Sequence, residues 1–207
     1  MTDLSPPRQR RSQETLDAIS RATKELLRTR SFSELKIQEI VSEANSSAGS
    51  FYGRFKGKRA LLHYLHDQMA ADSLKQIREG IEVAEFQAVT PEELARLLVP
   101  ELIKFHTENR GVLRATLIES LQDPLFIVRA AHLIHSVAKA VAEHTTRTAS
   151  RRDRHVENVM KAIGAVIAIL DQELFYDKRS TRQVSRSEAA RLERIFLASL
   201  GTQTASE

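Results

Sequence analysis

The stretch Lys36-Ile37-Gln38-Glu39-Ile40-Val41-Ser42-Glu43-Ala44-Asn45-Ser46-Ser47-Ala48-Gly49-Ser50-Phe51-Tyr52-Gly53-Arg54-Phe55-Lys56-Gly57-Lys58 decides how the chain is read. It holds two short helical patterns around a tight polar turn, closed by aromatic residues and two lysines. In a helix-turn-helix, such a pattern sends its second helix into the DNA major groove.

The residue types support that geometry one by one. Ile37, Ile40, Val41 and Ala44 fall on one face of the first motif helix. Asn45 stands at the turn, and asparagine is among the few residues besides glycine that tolerate a left-handed backbone. Ser46 and Ser47 offer hydroxyls to cap the second helix. Phe51 and Phe55, four apart, pack inward. Ser47, Ala48, Gly49, Ser50 and Gly53 leave an outer face without bulk, as a helix needs if its backbone is to approach base edges. Tyr52 and Arg54 can reach phosphates, and Lys58 brings a cation and a helix N-terminus to the DNA backbone.

From about Thr15 to Leu62 the chain resembles the TetR-type family of bacterial transcriptional regulators. The most specific part is Phe51-Tyr52-x-x-Phe55-Lys56-x-Lys58-x-x-Leu61. The resemblance implies a homodimer, a three-helix DNA-binding domain, and a C-terminal domain that binds a small-molecule effector. By position it puts Gln38, Ala48, Gly49, Ser50 and Gly53, with Ser47 opening the helix, near bases. Lys36, Tyr52, Arg54 and Lys58 would lie near phosphates. Leu35-Lys36 stands where the family often has two threonines, and Asn45-Ser46 replaces its usual Gly-Val. Gly53 stands where a larger side chain is common and costs about 1 kcal/mol of helix stability against alanine. These departures keep a second reading open, a helical ligand- or protein-binding module of the same fold that has lost specific DNA binding.

The rest of the 207-residue chain agrees with an all-α regulator. Residues 1–60 carry a net charge of +5 and the remainder −1, so a basic N-terminal third precedes a near-neutral body. There are no cysteines, which excludes disulfides and thiolate metal sites. The polar, basic N-terminus does not read as a secretory signal. The longest unbroken apolar run, residues 162–170, is short of the roughly 20 residues a bilayer needs, so a cytoplasmic protein is expected. No Gly-rich phosphate loop, nucleophile elbow or metalloprotease helix suggests an enzyme.

Three segments follow from the pattern: a flexible basic arm at 1–11, the helix-turn-helix domain at 12–57, and a helical ligand-binding and dimerisation domain at 58–207. In the arm, Arg8, Arg10 and Arg11 could track phosphate or the minor groove. Helical spacing gives about nine helices and no strands. Thr90-Pro91-Glu92-Glu93 and Ser185-Arg186-Ser187-Glu188 are capping boxes, Ser150 is a candidate cap, and Pro100 should kink its helix. Effector candidates lie near that kink: Leu102, Phe105, His106, Arg114, Leu117, Phe126, His132, Met160 and Ile163. A family-like dimer face would use Ala162, Gly164, Ala165 and Ala168 with Leu192, Ile195 and Phe196. The pairs His63/His66 and His132/His135 have chelating spacing but no fixed third ligand, so no metal or other cofactor is expected. Expected partners are double-stranded DNA, an effector and a second copy, with no membrane.

Overall fold

A computed structural model describes residues 7–83, 90–145, 149–176 and 184–201. These residues form nine helices and no strand: α1 (Pro7–Leu27), α2 (Ile37–Glu43), α3 (Ala48–Tyr52), α4 (Lys58–Val83), α5 (Pro91–Glu108), α6 (Arg110–Glu119), α7 (Leu125–Thr145), α8 (Ala149–Tyr176) and α9 (Arg186–Leu200). The all-α expectation holds. Helix ends follow local chemistry. Thr90 and Glu93 close a reciprocal cap, the Thr90 N–H donating to Glu93 Oε2 at 2.8 Å and the Glu93 N–H to Thr90 Oγ1 at 3.2 Å. Ser185 and Glu188 repeat the motif before α9, and Gly201 ends α9 at φ 71°. Asp123 accepts from the Leu125 N–H at the start of α7.

Two boundaries differ from expectation. The first helix opens at Pro7, so residues 7–11 are helical rather than part of an arm. Proline is pre-organised for a first helical turn, and Arg10 pairs with Glu14 one turn on. Arg8's side chain and residues 1–6 lie outside what is described. The α8 helix starts at Ala149, which puts the expected cap Ser150 inside it. Pro100 lies within an unbroken α5. It and Arg96 are exposed, so the carbonyl that proline leaves without a donor sits on the solvent side.

Two cores share one spine. The N-terminal core gathers Ile19, Leu35, Ile40, Phe51, Leu61, Leu62 and Leu65, joined by Val112, Ala115 and Phe126 from α6 and α7. The C-terminal core gathers Leu98, Val99, Val141, Val159, Ile163, Leu192 and Phe196 from α5, α7, α8 and α9. The first half of α4 belongs to the former, while its Leu74 and Ile77 pack on the latter. α4 therefore connects the helix-turn-helix to the body through continuous helix. α7 is long and apolar enough by composition to cross a membrane, although polar residues interrupt its apolar runs. Here Val137, Ala138, Ala140, Val141 and Ala142 form a wall of the core. Around its start lie exposed apolar residues, Ile118, Leu121, Leu125, Ile127 and Val128.

Candidate nucleic-acid interface and cavity

The turn between α2 and α3 has the geometry its residues demand. Asn45 is the one non-glycine with positive φ among the described residues, at 47°. The Ser50 N–H donates to Ser47 Oγ at 3.1 Å, and the two hydroxyls hydrogen-bond at 3.0 Å. Phe51 is fully buried, and its ring lies 5.5 Å from that of Phe55. Tyr52 points the other way, 58% exposed, its ring edge-on to Phe51. Ser47, Gly49 and Gly53 are also exposed, with Ala48 and Ser50 half-buried, so a face of small residues looks outward. A Cβ at Gly49 would meet only Ser47 Oγ at 3.8 Å. Bareness at Gly49 is therefore not required by packing, whereas a Cβ at Gly53 would lie 3.3 Å from the Gly49 carbonyl oxygen.

The first motif helix is fastened by an acid. Glu39 accepts from the Lys36 N–H at 2.8 Å and from Arg30 Nη1 at 2.8 Å. The Arg30 hydrogen bond, then that N–H, hold the Glu39 carboxyl below the usual range. Lys36 and Gln38 remain exposed beside the small-residue face.

Two expected phosphate contacts are instead turned inward. Lys58 Nζ donates to the carbonyls of Phe32, Ser33 and Leu35 at 2.9, 3.0 and 2.9 Å, above the Phe32 ring. An ammonium has three N–H donors, and all three are used. Arg54 donates from Nη1 to the Ser50 carbonyl at 2.8 Å and from Nη2 to the Ser12 carbonyl and hydroxyl at 2.7 and 2.9 Å. Lys58 fixes the loop before α2, and Arg54 ties α3 to the first turns of α1. The carbonyls that attract both cations belong to loop and helix-end backbone, which sequence spacing does not display. Lys56, not singled out from the sequence, is exposed and has no side-chain partner among the described residues. The Arg54 tie also brings exposed Arg10 and Arg11, on the first turns of α1, to the border of the same face.

Away from this face, a cavity of about 190 Å³ lies between α4, α5, α7 and α8. Of the nine effector candidates it gathers Leu102, Phe105 and Ile163. His106 and Arg114 open instead onto a separate groove of about 960 Å³ lined by α1, α5, α6 and α8. Within it, His106 is buried, its ring nitrogens 3.0 Å from the Leu102 carbonyl and 3.2 Å from Asp171 Oδ1. Phe126 belongs to the N-terminal core, stacked on His63 at 4.1 Å. Leu117, His132 and Met160 line neither space; His132 is exposed, and Met160 Sδ lies 3.4 Å from His135 Nδ1. Sequence reasoning missed Asp72, Gln76 and Ile77 on α4 and Leu133, Ile134 and Val137 on α7. Their helical spacing was legible; that they face the same space was not.

The dimer stripe is split. Ala162, Leu192 and Phe196 are buried inside the C-terminal core, which removes them from any surface. Gly164, Ala165 and Ile195 are half-buried and Ala168 is exposed; a Cβ at Gly164 would find no atom within 4 Å. Intrachain packing takes Ala162, Leu192 and Phe196 and leaves Gly164, Ala165, Ala168 and Ile195 at least partly outside.

Three polar ties join α4 to the α6–α7 region. Arg59 pairs with Glu119 at 2.9 Å and reaches Gln122. His63 Nε2 lies 2.8 Å from Asp123 Oδ2, and Asp67 pairs with Arg129. The His63 contact holds the Asp123 carboxyl below its ordinary range. His66, next to this pair on α4, is buried with no hydrogen-bond partner at Nδ1, and burial pushes its pKa down.

Residues 19–65 match the model of the family described as bacterial regulatory proteins, tetR family. The chain has the TetR-type N-terminal domain and the fold of a TetR-type regulator. A solved structure assigned to the TetR family, from Mesorhizobium loti MAFF303099, is 17% identical, with TM-score 0.67 over 95% of this chain and 96% of that one. A transcriptional regulator (TerR/AcrR family) from Aquifex aeolicus VF5 is 20% identical, with TM-score 0.58 over 90% and 97%. No curated protein matches the sequence. The TetR-type match covers both motif helices, the turn between them and the start of α4, all of the outward face just described.

Proposed function

We propose that this chain is a ligand-responsive transcriptional repressor that binds double-stranded DNA as a cytoplasmic homodimer. The observation that carries the reading is the outward face of α3: small residues and exposed Tyr52 over buried Phe51 and Phe55, flanked by exposed Lys36, Gln38 and Lys56. In the proposed complex the small residues let the α3 backbone approach base edges. Gln38 supplies base contacts, while Lys36, Tyr52 and Lys56 hold phosphates. Arg54 and Lys58 act as positioning residues. Paired through Gly164, Ala165, Ala168 and Ile195, two copies would read half-sites of a near-palindromic operator about 34 Å apart. An effector in the cavity between α4, α5, α7 and α8 would favour an arrangement in which the two reading helices no longer match that spacing. It can do so only through its different affinity for the two arrangements. No metal or cofactor enters this reading.

The test is a salt-titrated mobility-shift assay with the DNA upstream of the chain's own gene, together with the mass of the protein in solution. A dimer with a steep salt dependence, weakened by Tyr52→Ala, is the expected result. A folded dimer with no preference for any DNA would instead support a module that has lost DNA recognition.

A further inference from the structure

We propose that the cavity between α4, α5, α7 and α8 selects a small lipophilic cation. The proposal deepens the effector reading above and rests on it for its regulatory meaning. Met69, Ile77, Leu98, Phe105, Ile134 and Ile163 give the space an apolar wall. At about 190 Å³ it is of the order of the engineered apolar cavity of about 150 Å³ that accepts benzene, so it suits one ring with a short substituent. The charges sit at its border. Lys104 lies 4.0 Å from Glu101, so the one cation there has a carboxylate of its own. Asp72 from α4 and Glu108 from α5 have no hydrogen-bond or ion-pair partner among the described residues. An anion entering would meet two uncompensated carboxylates, and a neutral ring gains only the apolar wall. A ring bearing a positive charge gains the wall, the Phe105 face and the field of both carboxylates. The cavity makes the site; the carboxylates choose the charge. Because Asp72 and Glu108 are exposed, their field is screened by salt while the wall is not.

The experiment titrates the full-length protein calorimetrically with benzyltrimethylammonium, its uncharged carbon isostere neopentylbenzene, and phenylacetate. The cation should bind at least about tenfold more tightly than the isostere at low salt, and the ratio should shrink toward one near 1 M salt. The double variant Asp72→Asn, Glu108→Gln alters only exposed side chains; it should erase the ratio while keeping affinity for the isostere. Equal or tighter binding of the isostere or phenylacetate overturns the proposal, as does a preference that survives the double variant or high salt. A parallel ligand-free DNA mobility-shift assay separates the two readings. Cation binding by a dimer that recognises no DNA supports the site and sinks the repressor; no cation binding by a protein that does recognise DNA sinks the cation proposal alone.

Discussion

Lys58 and Lys56 are two residues apart and have opposite fates. Lys58 is drawn onto three carbonyls, of which only that of Phe32 also accepts a backbone N–H, from Leu35 at 3.3 Å, and Lys56 stays in water. Replacing Lys58 with Met should lower stability by about 1.5–3 kcal/mol, the range for hydrogen bonds to a charged group, read from urea midpoints. In the folded fraction it should leave the salt slope of DNA binding unchanged. Lys56→Ala should do the reverse, keeping the urea midpoint and flattening the slope of log K against log salt by about 0.9, one phosphate's worth. Gly49 offers a cleaner separation, since a side chain there meets open space. Gly49→Glu should keep the melting temperature within a few degrees and abolish the DNA shift; retained binding would mean that α3 does not face the groove. Reading the sequence distinguished the buried from the exposed aromatics, because helical period decides that. It could not separate the two lysines, because carbonyl partners contributed by a loop 23 to 26 residues earlier leave no trace in local spacing.

At the scale of elements, α4 and the α6–α7 turn carry an acid sensitivity with two steps. His66 is buried with its pKa pushed below the ordinary 6.5, so the unfolded chain takes up a proton that the folded chain resists. Stability from this residue is full above pH 6.5 and declines as pH falls below it, for a group whose unfolded state binds more protons. Asp67, beside it, opposes the shift, while Arg129 and His63 add to it. Half-buried His155 on α8, its pKa also lowered by desolvation, acts in the same direction. Asp123, held below its ordinary 3.8 by the His63 contact, contributes stability that is present above 3.8 and lost as pH falls through its folded value. Melting temperatures from pH 8 to 3 should therefore fall first below 6.5 and again near the carboxylate range. His66→Leu should flatten the upper step and Asp123→Asn the lower; a single step, unmoved by His66→Leu, would refute the assignment. Element boundaries were legible where a cap had a chemical signature, as at Thr90, Asp123, Ser185 and Gly201. They were misread at Pro7, where basic composition suggested an arm although Arg10 had an acidic partner one turn on. The burial of Ala162, Leu192 and Phe196 in the expected dimer stripe was hidden for a related reason. Small and large apolar residues share helical spacing on α8 and α9, and only packing against α5 shows which of them are inside.

For the whole molecule, the position of the body against the helix-turn-helix depends on a missing side chain. Gly111, in the first turn of α6, lies against the end of α1, where a Cβ would lie 2.6 Å from the Leu27 carbonyl oxygen. Alanine there cannot be relieved by rotating a flexible group, so Gly111→Ala should cost about 1–3 kcal/mol in chemical denaturation, the usual range for overpacking. Unchanged stability would show that the two helices separate freely. Contact between two backbones has no rotamers to absorb displacement. The far end of α1 is held by Arg54 to Ser12, so α1 is a stiff rod clamped near both ends. From Leu27 to Ser12 it spans about 22 Å at 1.5 Å per residue, and a tilt of about 3° at one end moves the other by about 1 Å. The first helix, which contributes no residue to the cavity between α4, α5, α7 and α8, is thus a lever whose fulcrum is a glycine and whose load is α3.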